Sequence, residues 1–456
     1  MENQADNRIM KRVIAGLVIA CGIVFFTIAF ARWAIKEPQP APQHAAAVCS
    51  LVLFLIGCVR FVPGWIAFLI PSDRDDAPGI DKEPKYAMLA VAALAVTVEV
   101  LLYLLVDRMR VSRGGTESFE AALGFWRYPD GSHYLDIARE WYLSEGDRGR
   151  VVQLVFLPGY PLAVYPFYRI LGDDLLAGVL VSALSFPTAC CMLYRLLRLD
   201  YDHSHAFRAV VLLLLMPGVF FFLAPMSESL YLLLALSTLY AARKKHWLLA
   251  GLFGAYTAFT RTVGLLLVAP LILEWIHAFP KEKPARKRWI LGIVPALMVP
   301  VGFLAYLYIN RVVSGDPLQF LTYQSEHWGQ RLGWFFNTAA YQTGYLIDNL
   351  REGSKELSFG LWLPNVVMHF GTLVLFALAA KKVRPSYAAW FIGYFVIAIG
   401  ATWLLSAPRY LVSMPAVAMM LAAITDKRWK QLLAVIVLTP LSLLYLTAYV
   451  LRWQVW

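Results

Sequence analysis

The residues best suited to acid–base chemistry lie in the stretch RYPDGSHYLDIAREWY, residues 127–142. Pro129 and Gly131 interrupt regular structure, so Asp130 is a favourable N-cap for a helix that begins near residue 131. At that helix start the Asp130 carboxylate could accept a proton from a hydroxyl nucleophile, and His133 could contact an anionic group. The stretch therefore offers one catalytic base, Asp130, with His133 beside it.

The same stretch has a simpler interpretation as a helix that lies in the membrane interface. An apolar, aromatic-rich stripe recurs at helical spacing on it: Tyr134, Ile137, Ala138, Trp141 and Tyr142. Such a stripe is typical of an amphipathic interfacial helix, and Asp130 would then be only its cap. The spacing alone leaves both interpretations open.

Two arginines stand in otherwise apolar surroundings. Arg261, in FTRTVG, interrupts a long apolar stretch, and Arg409, in APRY, precedes another. A charge at membrane depth is costly and by default faces a cavity or a partner. Two arginines in one cavity suit a phosphate or pyrophosphate, which arginine binds bidentately. The alternative for Arg261 is a structural pair with Glu228, which begins a span after the PMSES turn.

The composition predicts the elements that must position these groups. The chain has 456 residues, of which 59% are hydrophobic and 16% charged, and a mean hydropathy of +0.59. Soluble domains average roughly 45–50% apolar residues and about 25% charged residues. Its apolar runs are long enough to cross a bilayer as helices. We therefore predict an all-α, polytopic membrane protein with about thirteen spans: 13–33, 46–70, 86–106, 174–194, 207–223, 226–242, 247–260, 262–278, 289–311, 360–380, 387–405, 409–425 and 431–451. Two of them, 247–260 and 262–278, are short enough to form a bent hairpin instead.

The net charge of +11 comes from basic residues clustered in short segments between the apolar runs, such as 243–245, 281–288 and 427–430. This is the positive-inside pattern, and it argues against nucleic acid as a partner. With a cytoplasmic N-terminus, the long loops 107–173 and 312–359 lie outside, as do the turns that hold Glu228, Arg261 and Arg409. The pattern thus predicts one site at the external face.

Two parts of the chain are distinguishable. Residues 1–80 form an accessory transmembrane hairpin that ends in the charged linker PSDRDDAPGIDKEPK, and residues 81–456 form the main domain. No internal repeat of fixed period is present in the sequence, which argues against an inverted-repeat transporter.

Further polar or aromatic groups fall in the external segments. FLPGYPLAVYPFYRILG, residues 156–172, predicts a re-entrant or interfacial element, and the loop 314–331 offers Asp316, Gln324, His327 and Trp328. The neighbouring carboxylates Asp173 and Asp174 suggest helix caps more strongly than a metal site, so we predict no metal.

Six segments, in this order, resemble the PIG-V family of mannosyltransferases, which have the GT-C membrane fold. They are PDGSHYLDIAREWY, FLPGYP, MSES, AGLFGAYTAFTRTVG, GDPLQFLTYQSEHW and APRY, and they extend over roughly residues 81–424. The chain departs from the family pattern at Pro129, where the family has Trp, at Val263, where it has Pro, and in its extra pair of N-terminal spans.

The resemblance implies transfer of mannose from a polyprenol- or dolichol-phosphate donor to a lipid-linked glycan or similar acceptor, with inversion at C1 and no cofactor. It implies that Asp130 is the catalytic base. The residues that we expect at the site are, for catalysis, Asp130 and His133; for the donor phosphate, Arg409, Arg261 and Tyr410; and for substrate contact, Tyr134, Tyr160, Glu228, Asp316, Gln324 and Trp328.

Two alternatives remain at this point. One is a GT-C enzyme that uses another lipid-phosphate sugar or a protein acceptor, and the other is a non-enzymatic transporter or flippase of lipid-linked sugars. The compact loops and the extra hairpin favour a bacterial plasma membrane over the endoplasmic reticulum.

Overall fold

The computed structural model describes residues 2–70, 81–142, 151–278 and 289–456. Within these ranges the chain forms α-helices joined by short turns, without a β-strand. The helices are α1 (Glu2–Lys36), α2 (Ala41–Leu69), α3 (Ala87–Val111), α4 (Phe119–Gly124), α5 (Gly131–Glu140), α6 (Gly159–Leu171), α7 (Asp174–Leu197), α8 (His203–Leu214), α9 (Glu228–Arg243), α10 (Trp247–Thr260), α11 (Val268–His277), α12 (Val294–Ser314), α13 (Gln319–Trp328), α14 (Phe335–Arg351), α15 (Leu363–Ala379), α16 (Pro385–Tyr394), α17 (Ala407–Val412), α18 (Pro415–Ile424) and α19 (Arg428–Val450).

Seven helical segments in the described ranges are long and apolar enough to cross a membrane. They are Ile9–Lys36, Ala41–Leu69, Ala87–Val111, Asp174–Leu197, Leu291–Ser314, Glu356–Ala379 and Arg428–Val450, and five shorter apolar helices accompany them. The prediction of an all-α, polytopic membrane protein is confirmed. The count of thirteen spans is not confirmed, because several predicted spans are broken into shorter pieces.

Proline and glycine account for two of these breaks. In the predicted span 207–223, α8 ends at Leu214; Pro217 follows, which has no backbone N–H to donate, and Gly218 takes a left-handed φ of 90°. A buried 3-10 turn, Val219–Phe222, completes the segment. In the predicted span 409–425, α17 ends at Val412 and α18 begins at Pro415.

The break at Arg261 agrees with the predicted bent hairpin. Helix α10 ends at Thr260, and Arg261 adopts an extended conformation with φ −148° and ψ 139°. A 3-10 turn, Thr262–Leu267, then leads into α11. The bend thus places the Arg261 side chain at the junction of two short membrane helices.

A buried ion cluster marks one end of the bundle. Arg384 binds Glu274 through two bonds of 2.6 and 2.8 Å, and Arg243 binds Asp200 at 2.7 and 2.8 Å. Helix α9, of 16 residues, begins at Glu228 and ends at Arg243 in this cluster. At 1.5 Å per residue the helix is about 23 Å long, so Glu228 lies at the opposite end of the bundle.

The long segment 312–359 is more ordered than the predicted loop. It contains α13 and α14, and α14 buries a face that includes Phe335, Phe336 and Ala340. This face packs on α2, where the Phe54 and Phe335 ring centroids are 4.6 Å apart. The apolar residues recur at helical spacing, which explains why the segment folds back on the bundle. The division into residues 1–80 and 81–456 remains a prediction.

Candidate functional site

Helix α5 begins at Gly131, directly after Asp130, as the sequence predicts. The Asp130 side chain, however, makes no capping hydrogen bond to that helix. Its Oδ2 atom instead accepts a charge-assisted hydrogen bond from Nη1 of Arg409. The interpretation of Asp130 as a plain helix cap is therefore wrong, because its carboxylate is turned toward an arginine 279 residues away.

Most of the stripe on α5 faces protein. Tyr134, Ile137, Ala138 and Tyr142 are buried, whereas Trp141 is exposed, and α5 packs on α6 and α7. The buried part of the stripe therefore belongs to the protein core, and a position of α5 in the membrane interface remains a prediction. The same apolar spacing suits burial against lipid or against protein, and here most of the stripe is buried against protein.

The far end of α5 is anchored to α7 by ion pairs. Arg139 donates to Asp174 at 3.1 Å, and Arg127, just before α5, donates to the same carboxylate at 2.9 Å. Asp173 caps α7 by accepting the Leu176 N–H at 2.9 Å. Of the two neighbouring carboxylates, Asp173 is therefore a cap, and Asp174 fixes the helix that follows Asp130.

Four charged side chains form a continuous chain at the site. Arg409 connects two carboxylates, since its Nη1 donates to Asp130 and its Nε donates to Oε1 of Glu228 at 2.5 Å. Arg261 donates through Nη1 to the same Glu228 oxygen and to Ser227 Oγ at 3.3 Å. The order is Asp130, Arg409, Glu228, Arg261. The two positive and two negative charges cancel, which allows the group to be buried.

Glu228 lies behind the two arginines. It is fully buried, and its Oε2 atom has no hydrogen-bond partner among the described residues. It does not line the adjacent cavity, although the sequence places it among the residues expected to contact substrate. Because Oε1 accepts from both arginines, the position of Glu228 determines where both guanidinium groups point.

A cavity of about 360 Å³ lies beside this chain of charges. The predicted site residues that line it are Asp130, Tyr134, Arg261, Gln324, Trp328, Arg409 and Tyr410. They come from α5, the bend after α10, α13 and α17, which are distant in sequence. The cavity therefore assembles the carboxylate, both arginines and several aromatic rings in one place.

Besides Glu228, three predicted residues do not line the cavity. The ring of His133 stacks on Phe156 at 4.6 Å, and only Phe156 faces the cavity. The hydroxyl of Tyr160 is buried and donates to the Gly178 carbonyl at 2.7 Å. Asp316 accepts the Leu318 N–H at 2.8 Å in the turn before α13. Each of these side chains is occupied by a structural contact.

Several hydrogen-bonding atoms at the cavity remain available. Asp130 is bound only through Oδ2, and Nη2 of each of the two arginines has no acceptor among the residues that the structure describes. Tyr134 shares a 3.0 Å hydrogen bond with Ser227 Oγ. Burial, reinforced by the charge of Glu228, raises the pKa of the Tyr134 hydroxyl, which therefore stays protonated. The cavity can thus offer a carboxylate oxygen together with cationic and neutral donors.

The guanidinium groups are also bordered by aromatic rings. The Arg261 guanidinium carbon lies 5.1 Å from the Tyr410 ring centroid and 5.7 Å from that of Tyr231. The Arg409 carbon lies 5.8 Å from the Phe221 ring. These cation–π contacts further restrict the orientation of the two guanidinium groups.

The cavity includes residues that were not assigned to the site from the sequence: Phe156, Thr260, Thr262, His327, Gln330, Trp403, Ser406 and Trp456. Thr260 and Thr262 flank Arg261, and His327 precedes Trp328, so these three could have been predicted as neighbours of site residues. No feature of the sequence pointed to Trp403. It reaches the cavity because Thr402 joins two loops, with its Oγ1 donating to the Gly329 carbonyl at 2.9 Å and its N–H to the Arg331 carbonyl at 2.8 Å.

Within the described residues no group of three or more His, Cys, Asp and Glu side chains is arranged to hold a metal ion.

No curated protein matches this chain. Among solved structures it is similar to the archaeal oligosaccharyltransferase AglB from Archaeoglobus fulgidus in complex with an inhibitory peptide and a dolichol-phosphate, with 15% identity and a TM-score of 0.46 over 81% of this chain and 56% of that one. It is also similar to ArnT from Cupriavidus metallidurans bound to undecaprenyl phosphate, with 16% identity and a TM-score of 0.45 over 81% of this chain and 76% of that one. The chain thus covers little more than half the length of AglB.

A family model matches the part of the chain that contains the first four of the six motifs. Residues 129–312 match the family described as Mannosyltransferase (PIG-V). This segment contains Asp130, Glu228 and Arg261, whereas Arg409 lies beyond it. The resemblance to the PIG-V mannosyltransferases that the order of motifs predicts is thereby confirmed over residues 129–312.

Proposed function

We propose that this protein is a membrane glycosyltransferase that transfers mannose from a polyprenol- or dolichol-phosphate donor to a lipid-linked glycan or a similar acceptor. The observation that carries the proposal is that Asp130, Arg261 and Arg409 line one cavity. A hydroxyl acceptor requires a base, and a departing phosphate requires cationic donors. The match of residues 129–312 to a mannosyltransferase family supports the choice of sugar.

In the proposed reaction the acceptor hydroxyl oxygen attacks C1 of the mannose. The bond from C1 to the phosphate oxygen breaks, and the electron pair leaves with the lipid phosphate. The hydroxyl proton passes to the free Oδ1 atom of Asp130. Attack on the face opposite the phosphate inverts the configuration at C1. The phosphate is a stable leaving group, so the step needs no strong general acid.

The chain of four charges fits this proton transfer. Before reaction Asp130 is paired with Arg409. When Asp130 takes up the proton it becomes neutral, and Nη1 of Arg409 is released from its carboxylate. At the same moment the departing phosphate gains one negative charge. The released donor can then bind that phosphate, so the buried site creates no net charge.

Arg261 is suited to hold the phosphate before the reaction begins. Within the described part of the chain it binds protein acceptors through Nη1 alone, and it is separated from Asp130 by Arg409 and Glu228. The separation leaves room for the reacting carbon between the base and the phosphate. Trp328, Trp403 and Phe156 border the same cavity and offer apolar faces to a sugar ring.

The test is transfer by the purified protein. It would be reconstituted in liposomes with polyprenol-phosphate [³H]mannose and a glycolipid fraction from the source membrane. We expect radioactivity to move from the donor into an acceptor glycan, with release of polyprenol phosphate. Donors that carry glucose or an aminoarabinose serve as matched comparisons. Movement of intact donor across the bilayer without transfer would contradict the proposal and support a flippase.

We further propose that the N-terminus is cytoplasmic and that the cavity opens on the external side, in a bacterial plasma membrane or, in a eukaryote, in the endoplasmic reticulum. The basic turn at Arg243 and the cavity lie at opposite ends of α9, which fits the positive-inside rule. A membrane-impermeant thiol reagent applied to intact cells should label a cysteine placed at Gly315 and leave one at Lys244 unlabelled. The opposite labelling would reverse the orientation.

A further inference from the structure

The segment that follows α19 contains an unusual helix ending. Helix α19 ends at Val450, and Arg452 adopts a left-handed φ of 59°. The Arg452 N–H donates to the Tyr449 carbonyl at 3.1 Å, and the Trp453 N–H donates to the Ala448 carbonyl at 2.9 Å. This pair of bonds is the Schellman pattern, in which glycine is strongly favoured at the left-handed position. Arg452 therefore has a strained backbone conformation that glycine would adopt without strain, which points to a role for its side chain.

The arginine side chain covers the segment that leads to Asp130. Its guanidinium carbon lies 3.8 Å from the Phe125 ring centroid and 4.3 Å from that of Tyr128. Its Nη2 atom donates to the Phe125 carbonyl at 2.9 Å. Tyr128 is only two residues before Asp130. Arg452 therefore contacts the segment that precedes the Asp130 carboxylate both through two aromatic rings and through a backbone carbonyl.

Tyr449, in the last turn of α19, binds the same segment. The Tyr449 hydroxyl donates to the Tyr128 carbonyl at 2.7 Å, and the Tyr449 ring is fully buried. The Trp456 ring lies 5.9 Å from the Tyr128 ring and lines the cavity. Residues 449–456 thus contact both the segment before Asp130 and the cavity itself.

The segment is fixed from its other side by close packing. A Cβ atom on Gly360 would lie 1.6 Å from the Trp453 carbonyl oxygen, so only glycine permits this approach of the two backbones. Val455 is also fully buried. Residues 452–456 therefore form a rigid support on which the residues before Asp130 rest.

We propose that Arg452 is a positioning residue that holds residues 125–128 and thereby fixes the Asp130 carboxylate against Arg409 and the cavity. The proposal rests on the proposed function, in which Asp130 is the base. Arg452 acts through the loop and does not line the cavity. Misplacement of a reacting group by about 1 Å can cost about a hundredfold in rate, which explains why such a support matters.

Arg452→Gly tests the proposal without adding backbone strain, because glycine is favoured at this φ. We expect kcat for mannose transfer to fall about tenfold to a hundredfold, with KM for the donor unchanged within about twofold. Arg452→Lys, which keeps a cation over the rings, should retain more of kcat than Arg452→Gly. Amide hydrogen exchange in peptides that cover residues 125–135 should become faster in Arg452→Gly.

Lys245→Gly is the matched control, because Lys245 also has a left-handed φ, of 62°, in an exposed helix ending after α9, at the opposite end of the bundle. It should leave both kcat and the exchange of residues 125–135 unchanged. If the wild-type protein transfers no sugar, the proposed function fails, and the exchange experiment still tests the positioning. Unchanged exchange of residues 125–135 in Arg452→Gly, whatever its activity, would overturn the proposal.

Discussion

Asp130→Asn should abolish measurable mannose transfer while the protein keeps its fold and its affinity for the lipid phosphate. A positioned base contributes about 10²–10⁴-fold to rate, and asparagine cannot accept the hydroxyl proton. The substitution also removes the negative charge next to Arg409. Binding of polyprenol phosphate should therefore be at least as tight as in the wild type. Single-turnover transfer and equilibrium binding of polyprenol phosphate measure the two effects separately.

Asp136→Asn is a closely matched control. Asp136 lies on α5, the helix that follows Asp130. It is paired with an arginine at 2.9 Å, and its side chain is 25% exposed, against 24% for Asp130. We expect it to transfer mannose at close to the wild-type rate. Full activity of Asp130→Asn would rule out Asp130 as the base. Equal loss in both variants would show a general effect of altering α5.

Glu228→Gln should damage the site through both arginines at once. Glu228 is the shared acceptor of Arg261 and Arg409, and all three side chains are buried. Neutralising it leaves two guanidinium groups with one carboxylate, Asp130. Removing one partner from a buried ion pair costs about 3–5 kcal/mol. We expect a marked loss of thermal stability in detergent and a weaker affinity for polyprenol phosphate.

Glu356→Gln provides the control for this substitution, since Glu356 is exposed near the start of the helical segment that leads into α15. Its melting temperature and its affinity for polyprenol phosphate should equal those of the wild type. A Glu228→Gln protein with unchanged stability and unchanged binding would show that the arginines are held by other contacts. A stable Glu228→Gln protein with tighter binding would contradict its assigned positioning role as well.

The local features of the site could be predicted from the sequence. The start of α5 after Asp130 follows from Pro129 and Gly131, and the break at Arg261 follows from a charged residue between two short apolar runs. The positive-inside pattern placed the carboxylate and the arginines at one end of the bundle. These features could be predicted because they depend on residues adjacent in the sequence or on the distribution of basic residues among the loops.

The long-range contacts could not be predicted in the same way. Glu228 was expected to contact substrate, and its pairing with Arg261, 33 residues further on, was foreseen only as an alternative. Nothing in the sequence indicated that Arg409, 181 residues further on, would bind the same carboxylate. The α5 stripe could not reveal whether it faces lipid or protein. Arg452 gave no signal, because its role depends on a left-handed backbone and three aromatic rings that only the folded chain brings together.

The proposed function requires that one cavity hold a lipid phosphate on two arginines beside a carboxylate base. The most direct test is an experimental structure of the wild-type protein with bound polyprenol phosphate. We expect the phosphate oxygens to accept hydrogen bonds from Arg261 and Arg409, with the Asp130 carboxylate facing the space beside the phosphate. A phosphate bound elsewhere, with the chain from Asp130 through Arg409 and Glu228 to Arg261 undisturbed, would contradict the claim.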